Sequence, residues 1–450
     1  MIIRVDIANL FSFNEQTEFN LFPDKEQNMD HHKRTCNDIS FLRLGAIYGA
    51  NGAGKSNLIK AVNLLVDFVR KGKIFFDAEK LKFKLSTESQ QRPSSIAIEF
   101  FSGKTVYYYS LTFDNSGVLY EALFESFRDN DIRIFERSYE EKETIIFKKE
   151  YDDNENNKLF IKVLREKLIK RDDLLLSFLS KNYADEFKEA EEAYEWLTKT
   201  LVVITPESHS ANITQELDIN SKLKHFAEQF IVSVETGISS LDVETKEIEE
   251  EDESLLKILS ESKIEENLKF KTNKSAELVN RYTGEAVTFV NEGNHLKAKR
   301  LITNHKNEKG ENIAFSFGLE SDGTKRLIGY LPVIYNILNG NHTYLIDEIE
   351  KSIHPILIKE LISKISEDKK VQGQLIFTTH ESCLLDQSIL RRDEIWFVQK
   401  NKMDGSSQMY SLSDFNVHHT ANIENGYLNG RFGAIPFLSN LRDLHWENYE

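Results

Sequence analysis

Apolar residues in the N-terminal part of the chain follow the pattern of strands. A first strand is predicted near the N-terminus from the apolar positions Ile2, Ile3, Val5 and Ile7. Apolar runs separated by glycine turns predict a β-meander at residues 96–101, 106–113 and 118–124. Residues 41–48 are typical of one buried strand, and apolar positions then recur at helical spacing, at Leu58, Val62, Leu65 and Val69.

The middle of the chain has a different composition. From about residue 158 to 274 it is rich in Glu, Lys and Leu, and residues 174–179 and 187–197 are predicted helices. The apolar positions do not keep heptad spacing over three or four repeats, so no long coiled coil is predicted. An acidic run covers residues 247–253. We interpret residues 141–280 as a helical insertion.

Beyond the insertion, strands and helices alternate as in a parallel α/β sheet. Strands are predicted at residues 286–291, 343–346, 374–378 and 394–398. The predicted fold class is therefore α/β, with a β-rich N-terminal part and a helical insertion that splits the sheet in sequence. The predicted domain segments are 1–140, 141–280 and 281–450.

The composition excludes several classes of protein. With 450 residues, of which 40% are hydrophobic and 29% charged, the chain can bury a large core and is expected to fold as two or three units. No signal segment and no apolar run of about 18 residues is seen, so a cytoplasmic protein without a membrane span is expected. Cys36 and Cys383 lack metal-ligand spacing, as expected for thiols in a reducing compartment.

The net charge of −16 argues against a surface that attracts nucleic acid throughout. Two local basic runs are candidates for DNA contact, although solvated faces are the commoner meaning of such runs. One run contains Lys162, Arg165, Lys167, Lys170 and Arg171. The other contains Lys297, Lys299, Arg300, Lys306 and Lys309.

A stretch between the predicted buried strand and the predicted helix fits the pattern G-x-x-x-x-G-K-[ST]. It consists of Gly49, Ala50, Asn51, Gly52, Ala53, Gly54, Lys55 and Ser56. Strand, glycine loop and helix form the context in which this pattern binds phosphate, because backbone N–H groups and the helix N-terminus converge on the anion. Lys55 is then expected at the β- and γ-phosphates, and Ser56 at Mg²⁺.

Two adjacent carboxylates follow the predicted strand at residues 343–346. Asp347 is a candidate for the Mg²⁺ shell, as in P-loop ATPases. Neighbouring side chains of an extended segment point to opposite sides, so Glu348 is a candidate general base for the attacking water rather than a second metal ligand. A plain surface strand end explains an Asp-Glu pair equally well when no phosphate loop accompanies it.

Two further features complete the candidate site. His380 follows the predicted strand at residues 374–378 and could hydrogen-bond the γ-phosphate, or satisfy a loop carbonyl. The polar turn at residues 320–325 precedes a helix, where Ser321 and Gly323 could present donors to an anion. Helix capping by Ser321 or Thr324 explains the same residues.

The order of these motifs resembles the ABC-type ATPase heads of the SMC, recombination-repair and OLD-like group. More narrowly, the chain is similar to bacterial AAA ATPases of phage-defence and abortive-infection operons. The likeness covers about residues 1–140 and 280–440. The segments that carry it are residues 7–13, 320–326, 347–350, 354–355, 378–380 and 431–436.

This resemblance implies an ATP hydrolase that uses ATP and Mg²⁺. Ser321 and Gly323 stand for the ABC signature, which in the family completes the ATP site of a second subunit, so a homo-oligomer with ATP sandwiched between heads is implied. The turn departs from Leu-Ser-Gly-Gly-Gln at Asp322 and Thr324. A Q-loop is not assigned, and the nearest glutamines ahead of the meander are Gln90 and Gln91.

The resemblance also implies a biological role. The ATPase would control a separately encoded nuclease or toxin effector in antiviral defence, because no nuclease chemistry is evident in this chain. The alternative is a repair-like head that binds DNA directly, and a transporter subunit would need a membrane partner.

Overall fold

The computed structural model describes residues 1–24, 28–75, 77–139, 143–153, 155–207, 213–248, 275–279, 286–292, 295–417 and 421–435. The chain packs into two compact units. The first contains Met1–Thr205, Asn341–Ile349 and Leu361–Glu450, and the second contains Pro206–Gly340 and Glu350–Glu360. These bounds differ from the sequence segments divided at residues 140 and 280, and that division stays a prediction.

The strands are numbered in chain order. They are β1 (Ile2–Ala8), β2 (Thr17–Asn20), β3 (Lys33–Cys36), β4 (Ile39–Leu42), β5 (Leu44–Gly49), β6 (Ser94–Ser102), β7 (Thr105–Asp114), β8 (Gly117–Glu125), β9 (Ile132–Tyr139), β10 (Glu143–Phe147), β11 (Leu201–Ile204), β12 (Ile238–Glu247), β13 (Ser275–Val279), β14 (Ala286–Glu292), β15 (His295–Lys306), β16 (Asn312–Ser316), β17 (Thr343–Ile346), β18 (Gln374–Thr378), β19 (Ile395–Lys400) and β20 (Ser407–Ser411).

The helices of the described residues are numbered in the same way. They are α1 (Lys55–Lys71), α2 (Lys149–Asp152), α3 (Glu155–Val163), α4 (Leu175–Asn182), α5 (Lys188–Glu195), α6 (Ile213–Ile219), α7 (Ser221–Ser233), α8 (Asp322–Asn339), α9 (Pro355–Glu367) and α10 (Ile423–Leu428). None of them combines the length and the apolar character that crossing a membrane requires.

A seven-stranded antiparallel sheet forms the β-rich part of the first unit, in the order β10-β9-β8-β7-β6-β1-β2. The predicted meander is confirmed as β6, β7 and β8. Along β7, buried and partly exposed side chains alternate over much of the strand, because one face of the sheet packs on the core. The predicted N-terminal strand is β1, which pairs with β6.

A six-stranded sheet of the first unit carries the candidate phosphate loop. Its order is β11-β17-β18-β5-β19-β20, and all neighbours are parallel except β19 and β20. Every residue of β5, β17 and β18 is buried, as expected for parallel strands covered on both faces. The predicted helix is α1, whose apolar residues lie in the same core as Leu345 and Ile376. The predicted α/β class is thus confirmed.

The prediction of one strand over residues 41–48 is wrong. β4 ends at Leu42 and pairs with β3, whereas β5 begins at Leu44 and lies in the parallel sheet. The chain changes sheet at Arg43, whose side chain is buried and donates from Nη2 to the carbonyl oxygen of Ser366 at 2.5 Å. An apolar pattern cannot show this break, because Phe41 and Leu42 at the end of β4 and all of β5 are buried.

The second unit contains a five-stranded antiparallel sheet with the path β12-β15-β14-β13, and β16 pairs with β15. Helices α6, α7 and α8 contribute apolar side chains to one core with β12 and β15. Helices α2 to α7 lie in the segment predicted as helical, but β10 to β13 also lie there and were not predicted. Most of β12 is exposed or partly exposed, so its sequence lacks a clear apolar alternation. The acidic run at residues 247–253 lies largely outside the described residues.

Candidate nucleotide-binding site

The phosphate-loop pattern lies between β5 and α1, as predicted. Gly54 has a φ of +118°, a conformation that side chains rarely adopt, and it directly precedes α1. A Cβ atom on Gly54 would lie 2.1 Å from Ser407 Oγ and 2.8 Å from Ser12 Oγ. Glycine is therefore required here for the backbone conformation and for the close approach of two serines. The cradle of the loop fits a phosphate, because the first N–H groups of α1 lack partners within the helix.

Replacing Gly54 by Ala is expected to destabilise the folded protein by about 2 kcal/mol, because the methyl group forces Ser407 and Ser12 away from the loop. Gly52→Ala is the matched control, because Gly52 also has a positive φ of +76° but has no atom within 4 Å of its Cβ position. Thermal unfolding of both variants measures the difference. Equal losses of stability would show that the serine contacts do not matter.

Lys55 is the buried cation of the loop, with a relative exposure of 5%. Its Nζ donates to the carbonyl oxygen of Gly49 at 2.7 Å and contacts His380 Nε2 at 3.0 Å. An ammonium group has only donors, so His380 accepts through Nε2 and is neutral in this arrangement. The structure thus brings together two residues that were predicted separately, Lys55 at the loop and the strand-end histidine.

The predicted acidic pair follows β17 and is held by the next strand. Asp347 is buried, and its Oδ1 accepts a hydrogen bond from Thr378 Oγ1 at 2.6 Å. Glu348 is partly exposed and has a φ of +50°, so the chain turns here instead of continuing as a strand. The premise that the acidic pair continues the extended segment is therefore wrong, and the separate tasks of the two side chains stay a prediction. The two carboxylates still differ in their surroundings, because Asp347 is buried whereas Glu348 is partly exposed to solvent.

The strand order places both halves of the site at one edge of the sheet. β18 lies between β17 and β5, and Phe377 is in register with both Ile346 and Ala46. Because the three strands are parallel, their carboxyl ends lie side by side. Asp347 and Glu348 follow the end of β17, His380 follows the end of β18, and the phosphate loop follows the end of β5.

The available donors suit a magnesium nucleotide. Asp347 and the partly buried Ser56 offer carboxylate and hydroxyl oxygens, the ligand types that Mg²⁺ prefers. Lys55 and the N-terminus of α1 offer positive charge for phosphate oxygens. These residues are the candidates for holding ATP and Mg²⁺. Of the other loop residues, Asn51 and Gly52 are exposed, Ala53 is buried and Ala50 is partly exposed.

The predicted signature residues lie in the second unit, at the start of α8. Ser321 is the N-cap of this helix, and its Oγ accepts from Thr324 N at 3.1 Å. A Cβ atom on Gly323 would lie 2.6 Å from the carbonyl oxygen of Ser352, so the loop after the acidic pair contacts this turn closely. The capping interpretation explains Ser321 within one chain. A contact of Ser321 and Gly323 with ATP in a second subunit stays a prediction.

Three polar residues at the site were not predicted as functional. Ser407 Oγ donates to the carbonyl oxygen of Ala53 at 2.5 Å and lies 2.7 Å from Ser12 Oγ, and Asn57 Nδ2 donates to Ser12 Oγ at 2.7 Å. Ser12 lies within the segment 7–13 that carries the family resemblance. This resemblance was the one sequence signal that could have indicated a role for Ser12. No local pattern marks Ser407, because its partner Ser12 is 395 positions away in sequence.

Gln90, Gln91 and residues 431–436 were given no chemical role from the sequence, and the structure shows contacts for some of them. Gln90 Nε2 donates to the carbonyl oxygen of Phe83 at 2.7 Å, which is a local structural contact, and Gln91 is exposed. In the described part of residues 431–436, Phe432 stacks on Phe397 of β19 with 5.8 Å between ring centroids. Its carbonyl oxygen accepts from Tyr410 Oη at 2.7 Å. Pro436 lies outside the described residues.

A strand, a glycine loop with its lysine, and an acidic pair at the end of a buried strand of a parallel sheet define the class of P-loop ATPases. Residues 45–386 match the family model described as "AAA domain, putative AbiEii toxin, Type IV TA system". This match covers more than half of the chain. The protein belongs to this family of AAA-type ATPases, and the predicted family is thereby confirmed.

Similar proteins include one curated relative and several solved structures. The chain is 22% identical over 356 residues to "Retron Vc95 probable ATPase" of Vibrio cholerae serotype O1 biovar El Tor, a match that covers 75% of this chain and 66% of the relative. The chain thus spans slightly less than two thirds of that relative's length.

Two solved SMC heads share 13% sequence identity with this chain over 91% of its length. One is an SMC head bound to the C-terminal winged-helix domain of ScpA, with 97% of that chain covered and a TM-score of 0.40. The other is the SMC head domain from Thermotoga maritima, with 98% covered and a TM-score of 0.36.

Proposed function

We propose that the protein binds and hydrolyses ATP with Mg²⁺, dimerises through ATP held between two heads, and thereby controls a separately encoded effector in antiviral defence. The observation that carries the ATPase part is the geometry of one sheet edge. There Lys55 contacts His380, and Thr378 of the same strand end holds the acidic pair. A cation for phosphate follows β5 and the carboxylates for metal and water follow β17, the two strands that flank β18.

Each residue has a proposed task in hydrolysis. Lys55 binds the β- and γ-phosphates, and Asp347 with Ser56 holds the Mg²⁺, which neutralises phosphate charge when it is bound. Glu348 accepts the proton of the attacking water. His380 accepts from Lys55 through Nε2, and we propose that it hydrogen-bonds the γ-phosphate through a ring nitrogen that carries a proton.

The proposed dimer and effector rest on the family. The family description names a toxin of a type IV toxin–antitoxin system, and the relative from Vibrio cholerae is named as an ATPase of a retron. A protein that changes between an open and an ATP-bound dimer has the two states that are needed to hold or release a partner. We propose that this partner is a nuclease or a toxin, and that binding of ATP controls whether the partner is held or released.

The proposal is tested with the purified protein and Mg²⁺. We expect phosphate release from ATP, and an increase in mass by light scattering with a non-hydrolysable ATP analogue but not with ADP. Co-expression with the product of a neighbouring nuclease gene, followed by co-purification with and without ATP, tests the effector. DNA cleavage by the protein alone that persists in Lys55→Ala would contradict a separately encoded effector.

Two substitutions of Ser321 distinguish its role as helix cap from its proposed contact with ATP. Ser321→Ala removes both the cap and the hydroxyl, and we expect about 1 kcal/mol lower stability together with slower ATP turnover. Ser321→Asp keeps a capping oxygen but adds a negative charge, so stability is expected to return while turnover stays low. Nucleotide affinity of the isolated head should be unchanged in both. Wild-type turnover in Ser321→Asp would assign Ser321 to capping alone.

The alternative function, direct DNA binding, is disfavoured at two of the five basic residues of one candidate surface. Lys299 is buried and donates from Nζ to Asp218 at 2.7 Å and to Glu292 at 2.5 Å. Lys297 Nζ donates to the same Glu292 at 3.0 Å. Cations that are already neutralised by carboxylates release no counterions from DNA, so they add little affinity for phosphate. This basic run is therefore structural at Lys297 and Lys299.

A further inference from the structure

The last residue of β18 contacts both members of the acidic pair. Thr378 Oγ1 donates to Asp347 Oδ1 at 2.6 Å and accepts from the backbone N–H of Glu348 at 2.8 Å. The carbonyl oxygen of Thr378 also accepts from Ile349 N at 3.1 Å. The side chain of Thr378 is fully buried, so water cannot replace either hydroxyl contact.

We propose that Thr378 is a positioning residue for ATP hydrolysis, which acts through Asp347 and Glu348. This inference rests on the proposed function of the site. A hydroxyl group has one proton, and here the proton is committed to Asp347 while a lone pair faces the Glu348 amide. One atom therefore fixes the rotamer of the proposed metal ligand and the backbone of the proposed general base.

The backbone at Glu348 shows why such a restraint is needed. Its φ of +50° is uncommon for a residue with a side chain, and a conformation of this kind persists only where the surroundings enforce it. The bond to Thr378 Oγ1 is one such restraint. Without the hydroxyl the Glu348 amide loses its partner, and the chain can relax to an extended conformation that swings the carboxylate away from its present direction.

The same strand end also contacts the phosphate loop. The backbone N–H of Thr379 donates to the carbonyl oxygen of Ile47 at 3.0 Å, and His380 contacts Lys55. Thr378 and the two residues that follow β18 thus contact the acidic pair on one side, and β5 and the phosphate loop on the other. A shift of Thr378 changes the distance between proposed base and phosphate, and errors of about 1 Å in such geometry cost on the order of 100-fold in rate.

The experiment compares variants of the full chain by steady-state ATP hydrolysis. Thr378→Val keeps the side-chain shape but removes the hydroxyl, and we expect kcat to fall at least about tenfold while KM and the Kd for ATP stay within about twofold. Thr378→Ser should restore kcat, and Thr378→Ala should not, although both lack the methyl group. Thr343→Val is the control, because Thr343 is a buried threonine at the opposite end of β17.

Amide hydrogen exchange at residues 348–349 gives a second readout that needs no hydrolysis. We expect exchange to be faster in Thr378→Val and Thr378→Ala, and at the wild-type rate in Thr378→Ser and Thr343→Val. A wild-type kcat in Thr378→Val, with hydrolysis still dependent on Glu348, would overturn the positioning role and leave the proposed function intact. If the wild-type protein does not hydrolyse ATP, the proposed function fails, and unchanged exchange would refute the Thr378 restraint independently.

Discussion

Lys55→Ala is expected to weaken ATP binding at least about 100-fold. The ammonium group is the buried cation of the loop, and its partners include the carbonyl oxygen of Gly49 and His380 Nε2. Charge-assisted bonds to phosphate are worth about 1.5–3 kcal/mol each, and we propose that the lysine binds two phosphates. Calorimetric titration with ATP and Mg²⁺ measures the loss.

A second lysine of the same helix is the control for this variant. Lys60 is exposed on α1, so Lys60→Ala removes the same charge from the same helix without touching the loop. ATP affinity within about twofold of wild type is expected for Lys60→Ala, because exposed charges are strongly screened. If Lys55→Ala also retained its affinity for ATP, the assignment of residues 49–56 as a phosphate loop would be wrong, whichever family the chain belongs to.

The elements around this lysine could be predicted because they are short, apolar and bounded by polar motifs. The observed bounds of β17 and β18 coincide with the predicted residues 343–346 and 374–378. All residues of both strands are buried, so nearly every side chain adds to the local apolar signal. β12 shows the opposite case, since its side chains are mostly exposed or partly exposed and its sequence resembles a surface loop or helix.

The details that complete the site depend on partners far away in sequence. Thr378 is 31 positions from Asp347, and Ser407 is 395 positions from Ser12. Hydrophobic periodicity describes which face of an element is buried, but it contains nothing about which strand lies beside it. The insertion of β18 between β17 and β5 therefore could not be predicted, and neither could the contacts of Thr378.

The turn at Glu348 was missed for a related reason. An apolar strand followed by two acids indicates extended structure up to the acids, and only the neighbouring strand shows that the chain bends there. A non-glycine residue with positive φ is unfavourable in isolation and is stabilised by its surroundings. Such residues cluster at functional sites, which agrees with the task proposed for this glutamate.

Glu348→Gln is expected to bind ATP normally and to lower the rate of hydrolysis by about 100- to 1,000-fold. The amide has nearly the shape of the carboxylate and leaves the backbone bond to Thr378 Oγ1 intact, so the main change is the loss of a base. Because ATP then persists at the site, dimers are expected to accumulate. Phosphate release measures the first effect, and light scattering with ATP and Mg²⁺ measures the second.

The two readouts of Glu348→Gln separate catalysis from dimerisation. Glu360→Gln on α9 is the control, because it removes the same charge at an exposed position and should change neither readout. Hydrolysis at the wild-type rate in Glu348→Gln would exclude this residue as the general base. Lost hydrolysis with an unchanged particle size would keep the base but refute the ATP-held dimer, and control of the effector would then have to come from changes within a single head.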